Sequence, residues 1–436
     1  MIAPRLERAR TALERVDPIR FRGRVTALTG LAVRAALDGA RVGELAEIDL
    51  GGRKLPAEVV GFRDGEVVLL PLGEMEGVGP GCEVIGLGRP ASVRAGPGLL
   101  GRVLDGMGRP LDGRALPRGL AEWPVDRPAP GPLRRGRVGR QLVTGLRVID
   151  GLLALGEGQR VGLFAGPGAG KSTLLGHLAR EARADAVVVG LVGERGREVR
   201  EFLEDALGPR GLARSAVVVS TGDEPALLRV RAARTATALA EWLADSEGRS
   251  VLLLLDSATR FARAQREVGL AAGEPPVRQG HPPSVFAALP RLLERAGPRE
   301  RGCITAVYTV LAPGGDLEEP VADEVRSLLD GHVVLDTRLA GRGWFPAVDV
   351  LRSLSRLMPR LVGPGHRAAA ERVRELLDAG ERVRDLVALG AYAPGNDATA
   401  DAALARLPAI EAFLRQEPSE RSDLAETVAR LEGLVA

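Results

Sequence analysis

Lysine is almost missing from this chain. Of 60 basic side chains among 436 residues, only Lys54 and Lys171 are lysines; the rest are arginines, set against 57 acids for a net charge of +3. The acids are interspersed and no block of like charge forms, so the basic stripe of a nucleic-acid footprint is lacking and no nucleic-acid partner is expected. Cysteine is equally scarce: Cys82 and Cys303 are too few and too far apart for a disulfide framework or a CxxC zinc or redox pair, which fits a reducing compartment. Four scattered histidines argue against a dedicated metal cage. No charge-free apolar run approaches the roughly 18 residues that a membrane helix needs. The first segment carries Arg5, Arg8, Arg10, Arg15 and Arg20 with acids between them. It lacks the apolar stretch and small-residue cleavage site of a secretory signal, so a cytoplasmic location is expected.

What is present is typical of a globular protein, with 45% apolar and 27% charged residues. At roughly 150 residues per domain the length suggests about three domains, each able to bury its own core. Their textures differ. From residue 22 to about 90, short apolar segments (57–62, 66–70) alternate with turns such as Arg63-Asp64-Gly65 and Gly79-Pro80-Gly81, the pattern of a small β-barrel or sandwich. A Gly/Pro-rich stretch through Pro124 and Pro132 reads as a loop-like connector. Between about 137 and 351, apolar runs at 160–164, 186–192, 216–220, 251–255, 304–310 and 333–335 alternate with helical stretches. Unbroken Val/Leu/Ile runs are what a parallel sheet covered on both faces requires. After Met358-Pro359 the chain reads as amphipathic helices, with Val373, Leu376, Leu377, Val383, Leu386 and Val387 on one side. The fold class is therefore multidomain: β, then α/β with a mostly parallel sheet, then α.

The chemistry enters where the run 160–164 meets Ala165-Gly166-Pro167-Gly168-Ala169-Gly170-Lys171-Ser172 and a helix opening at Thr173. Strand, glycine-rich loop and helix in that order are a P-loop. Its glycines let backbone N–H groups face phosphate oxygens, helped by the positive end of the helix. Lys171 brings a compact charge to the outer phosphates, and the Ser172 hydroxyl suits Mg²⁺. Asp256 closes the apolar run 251–255, where an acid can complete the magnesium shell. Glu194 follows another apolar run in Gly193-Glu194-Arg195-Gly196-Arg197-Glu198. It either polarises the attacking water, which needs a carboxylate near the γ-phosphate, or belongs to a surface loop.

Together with Leu255-Asp256-Ser257-Ala258-Thr259-Arg260 and the segments 160–166, 192–199 and 283–295, these motifs resemble the export ATPases of type III secretion and flagellar assembly. That family is related to the catalytic subunit of rotary ATP synthases, and the likeness spans nearly the whole chain. It implies an N-terminal helical segment (1–21), a β-barrel domain (22–92), a RecA-like P-loop ATPase domain (93–355) and a helical C-terminal domain (356–436). It implies ATP and Mg²⁺ as cofactors, Glu194 as the catalytic glutamate and Arg195 as a γ-phosphate contact. Arg260 is then either catalytic or a brace to Asp256. Ser353-Leu354-Ser355-Arg356 matches the arginine finger, offered by a neighbouring subunit. Phe345 stands where the family usually has a tyrosine against adenine; Trp344 beside it is either a core filler or part of that pocket. The implied assembly is a homohexamer whose partners are a central-stalk coiled coil, a regulatory stator protein at the N-terminal region and export chaperone–cargo complexes. The ring would sit peripherally on a membrane export apparatus, of the injectisome in preference to the flagellum. Two other readings share the core: a non-hydrolysing ring subunit, which typically carries glutamine in place of Glu194, and a hexameric RNA helicase. The latter is disfavoured because Phe21 and Phe62 are the only aromatics before residue 90.

Overall fold

The computed structural model describes residues 21–312 and 316–436. The expected N-terminal helical segment lies, apart from Phe21, outside the described residues. Six antiparallel strands, Arg22–Thr29, Ala32–Ala36, Glu44–Asp49, Lys54–Arg63, Glu66–Pro71 and Glu83–Pro90, close into a barrel because the first also pairs with the last. Val25, Val33, Ile48, Leu69 and Val84 fill its interior. The turn Asp64-Gly65 joins Arg63 directly to its partner Glu66, with φ of 53° and 80°. Two positive φ values in a two-residue loop match the right-handed twist of the flanking strands, which is why Asp-Gly stands there.

The second unit is built on one large sheet. Its strand order is Val348–Ser355, Gly331–Leu335, Arg160–Ala165, Cys303–Leu311, Ser250–Asp256, Ala186–Glu194, Ser215–Thr221 and Arg102–Asp105. The pairs from Gly331–Leu335 to Arg102–Asp105 are parallel, and Val348–Ser355 is antiparallel at the edge. Successive residues of one strand enter opposite cores: Val188 and Leu253 pack on the side of the long helix Ala226–Glu247, Val187 and Leu252 on the side of the helix Lys171–Glu181. Both faces are covered, so no polar alternation survives in the strand sequence.

The connector is not simply loop. It supplies the edge strand Arg102–Asp105 and a small sheet of Ser92–Ala95 with Ala121–Pro124. Four-residue strands flanked by Gly and Pro are too short to show a period. Arg102 secures this edge by a bidentate pair to Asp112, at 2.6 and 2.9 Å. That hydrogen bonding holds the Asp112 carboxyl well below its ordinary range.

The last unit is helical: Pro364–Ala388, Ala398–Leu414 and Leu424–Gly433. Val373, Leu376 and Val383 are buried, but Leu386 and Val387 are exposed at the far end of the first helix. The apolar stripe therefore runs beyond the part of the helix that finds a partner among the described residues.

Candidate active site

The P-loop leaves the carboxyl end of Arg160–Ala165, and Gly168 and Gly170 adopt φ of 75° and 82°. Such values are open to glycine at no steric cost, and they turn the chain into the helix that starts at Lys171. Ser172 is exposed and Thr173 half-buried on its first turn, so the Ser172 hydroxyl faces outward at a helix N-terminus. Pro167 and Gly168 are exposed, whereas Ala169 is buried as the anchor of the loop.

Three buried charges meet beside it. Lys171 Nζ lies 2.5 Å from Asp256 Oδ1 and 3.3 Å from Glu194 Oε1. The two carboxylates come from the carboxyl ends of adjacent parallel strands, Asp256 closing one and Glu194 the other. Ligands of open α/β sheets bind at this end. Thr309 donates to Asp256 Oδ1 at 2.6 Å and fixes its orientation. Burial opposes charge on the ammonium, yet Asp256 and Glu194 outweigh it, so the Lys171 pKa is raised. Burial, then the Asp256 charge and contact with Glu198, push Glu194 up to about 7, against the pull of Lys171 and Arg260.

Arg260 corrects the expectation of a brace to Asp256. Its guanidinium donates to Glu194 Oε2 at 3.0 Å and to the Gly193 carbonyl at 2.6 Å, so the acid it holds is Glu194. Its place in the first turn of the helix Ala258–Ala271 aims it across to the neighbouring strand. Arg195 does not join this cluster: it is solvent-exposed and donates to Glu198 at 3.3 Å. Glu198, Thr309 and His177 were not singled out in the sequence. Glu198 lies in the same motif, in the first turn of the helix Gly196–Glu201 that follows the strand ending at Glu194.

Phe345 lies 6.4 Å, ring to ring, from His177 of the P-loop helix, and Trp344 is capped by Arg415 at 4.8 Å from its ring. Trp344 thus packs under an arginine at the join with the helical unit, while Phe345 remains half-buried on the P-loop side. Arg356 is exposed. Ser355 pairs with Gly331, and Leu335 pairs with Ala165, just before the P-loop. Arg356 therefore sits at the opposite end of the strands from its own P-loop, about 13 Å away along four residues of strand and two strands to the side.

The residues beside the P-loop offer oxygen donors of the kind Mg²⁺ takes. Asp256 is buried at 3% exposure and held by the Thr309 hydroxyl and the Lys171 ammonium, and among the described residues no group of three or more His, Cys, Asp and Glu forms a cage. One carboxylate and a hydroxyl suit magnesium, which keeps waters and binds largely through substrate phosphates. The residues fit.

A doubly covered parallel sheet with a P-loop, a lysine bridging two strand-end acids and an arginine locking one of them defines a nucleotide-hydrolysing P-loop protein. Comparison with known proteins narrows this. Residues 145–355 match the ATP synthase alpha/beta family nucleotide-binding domain, 23–88 the beta-barrel domain of that family, and 362–433 the T3SS EscN ATPase C-terminal domain. The chain is 47% identical over 425 residues to the flagellum-specific ATP synthase of Bacillus subtilis, covering 97% of each chain. It is 50% identical over 411 residues to the type 3 secretion system ATPase of Xanthomonas euvesicatoria, covering 94% of this chain and 93% of the relative. Among solved structures, the assembled ATPase EscN of the enteropathogenic E. coli type III secretion system superposes with a TM-score of 0.90 at 44% identity, covering 95% of this chain and all of EscN. EscN in complex with its central stalk EscO gives 0.86 at 44% identity, with the same coverage. The chain belongs to the ATP synthase alpha/beta family, in the group of type III secretion and flagellar export ATPases, and is an ATPase. Among the described residues no helix is long and apolar enough to cross a membrane.

Proposed function

We propose that the chain is the motor subunit of a type III protein-export machine, a homohexamer whose Mg²⁺-dependent ATP hydrolysis releases or unfolds chaperone-bound cargo. The observation that carries this reading is Lys171 held between Glu194 and Asp256 at the P-loop. Backbone N–H groups of residues 166 and 168–173 cradle the phosphates, and Lys171 exchanges its carboxylate contacts for the β/γ oxygens. Ser172 and Asp256 are the residues that would hold Mg²⁺, which when bound neutralises charge on the phosphate oxygens. Glu194 takes the proton of the attacking water, a task suited to a carboxylate whose pKa lies near the working pH. Arg260 keeps that carboxylate aimed. Phe345 stacks on adenine, with loss of only the hydroxyl contact a tyrosine would add. The place of Arg356 at the strand ends away from its own P-loop supports its action on a neighbour's nucleotide, where a guanidinium spreads charge over the transferring phosphoryl group.

The same division into barrel (22–92), ATPase core (93–355) and helical domain (356–436) gives each partner a place. A central-stalk coiled coil fits inside the ring, a reading supported by the complex of EscN with its central stalk EscO. The regulatory stator protein belongs at the N-terminal region and the chaperone–cargo complexes at the helical domain, with the ring peripheral to the membrane apparatus. The injectisome is preferred on the 0.90 TM-score to EscN; the 47% identity to a flagellar relative supports the alternative. Two measurements test the reading. Steady-state ATPase activity should rise more steeply than linearly with protein concentration, and a strictly linear dependence overturns shared sites. Restored secretion in an injectisome strain lacking its ATPase, against restored motility in a flagellar one, decides between the systems.

A further inference from the structure

The helical domain is joined to the P-loop unit by a buried polar knot that the chemistry above does not use. Arg147, 4% exposed, donates through Nε to the Phe413 carbonyl at 2.8 Å, through Nη2 to the Arg415 carbonyl at 2.5 Å and through Nη1 to Ser422 Oγ at 3.1 Å. It also pairs with Glu420. Gln416, 3% exposed, accepts from the Arg147 backbone N–H at 3.0 Å and donates to the carbonyls of Gly145 at 2.8 Å and Glu420 at 3.0 Å. Its own backbone N–H donates to the Phe345 carbonyl at 2.8 Å. One face of the P-loop helix meets the same segment. His177 and Arg180 both reach the Pro418 carbonyl at 3.4 Å, and Arg183 pairs with Asp423 at 3.1 Å.

A half-buried aromatic ring at the end of a loop has little to fix its backbone unless a neighbour does. Here the fixing bond comes from residue 416, which is itself immobilised by all the polar atoms of its side chain. We infer that Gln416 is a positioning residue for Phe345, and that Arg147 is the clamp through which the helical domain sets the affinity of the site for the adenine base. This rests on the reading of Phe345 as the base platform. Arg147 and Gln416 are buried with their polar side-chain atoms paired, so loss of one leaves its buried partners unpaired and frees the loop. The base would then meet a mobile ring and pay the ordering cost on binding, whereas the phosphates would still meet the same P-loop.

The test compares ATP with inorganic tripolyphosphate, which engages the P-loop but has no base. In the full chain, Gln416→Ala is expected to raise KM for ATP at least fivefold with kcat changed less than twofold, and to leave the Kd for tripolyphosphate unchanged. Arg147→Lys, which keeps the charge but loses the forked donors, should give the same pattern at smaller amplitude; it also stands in should Gln416→Ala fail to fold. Equal weakening of both ligands, or no change in either, overturns the inference. Phe345→Ala is the control for the underlying reading. If it leaves the ratio of the two affinities unchanged, Phe345 is not the base platform. If it lowers that ratio and Gln416→Ala does not, only the positioning role fails.

Discussion

Arg260 holds Glu194, not the strand-end aspartate beside it: its Nη2 lies 3.0 Å from Glu194 Oε2, and its Nη1 binds the Gly193 carbonyl. One guanidinium thus fixes both the carboxylate and the backbone that carries it. Since a rotated general base cannot reach its water, Arg260→Ala should lower kcat by about 10²-fold while nucleotide affinity changes little. Arg260→Lys, which can reach only one of the two acceptors, should recover part of that loss. Single-turnover hydrolysis alongside equilibrium binding of a fluorescent nucleotide checks this, and a loss confined to affinity would contradict it.

Glu194→Gln should keep nucleotide binding and lose about 10²–10⁴-fold in turnover, because the amide cannot accept the proton. The same residue sets an acid limb. With Glu194 pushed up to about 7, the base is progressively protonated as pH falls through that value. A plot of kcat/KM, which reports the free enzyme, should therefore decline below about pH 7. A flat profile between pH 6 and 8 would be incompatible with this assignment.

The stability sign is the reverse. Asp150, buried under hydrogen bonds from Thr144 and Gly145, is pushed up to about 6 by burial. The folded state therefore binds a proton that the unfolded chain releases at lower pH. Its contribution is fully present below about pH 4 and lost as pH rises through about 6. Glu194 adds a loss of the same sign up to about 7. The part due to Asp150 should be missing from the Tm profile of Asp150→Asn.

Mixing two inactive variants tests the placement of Arg356. Rings built from Arg356→Ala and Glu194→Gln subunits contain some interfaces at which an intact Glu194 faces an intact Arg356. The mixture should exceed the activity of either variant alone, which a finger acting within one chain cannot produce. Removal of Arg356 by itself should cost of order 10³–10⁵ in rate.

The barrel is tied to the ATPase unit by the buried pair of Arg231 and Glu58. Arg231→Met should destabilise by about 3–5 kcal/mol, because a buried carboxylate loses its partner, while Arg231→Met with Glu58→Leu should recover most of that. Denaturant unfolding of the three variants reads the difference.

Much of this molecule was legible in order along the chain. The apolar runs became strands of the central sheet because a strand buried on both faces has only apolar residues to show. The P-loop was legible because backbone that must wrap phosphate needs glycine at Gly168 and Gly170, followed at once by Lys171 and Ser172. The strand Arg102–Asp105 was hidden, being four residues at an edge held by an arginine-to-aspartate pair that no periodicity encodes. The exposed ends at Leu386 and Val387 were hidden for a related reason: a 3.6-residue repeat marks an apolar face but not how far its partner extends.

The sequence by itself determined which residue types were available for phosphate, magnesium and proton transfer, since those requirements are met by local motifs. Only the tertiary structure decided their pairings. It set Lys171 between two acids 62 residues apart in the chain, gave Arg260 to Glu194, turned Arg195 to solvent, and put Arg356 at the strand ends away from its own P-loop. Strand order and register fix such relationships, and these follow from which long-range pairs bury the most surface together, a property no short stretch of sequence carries.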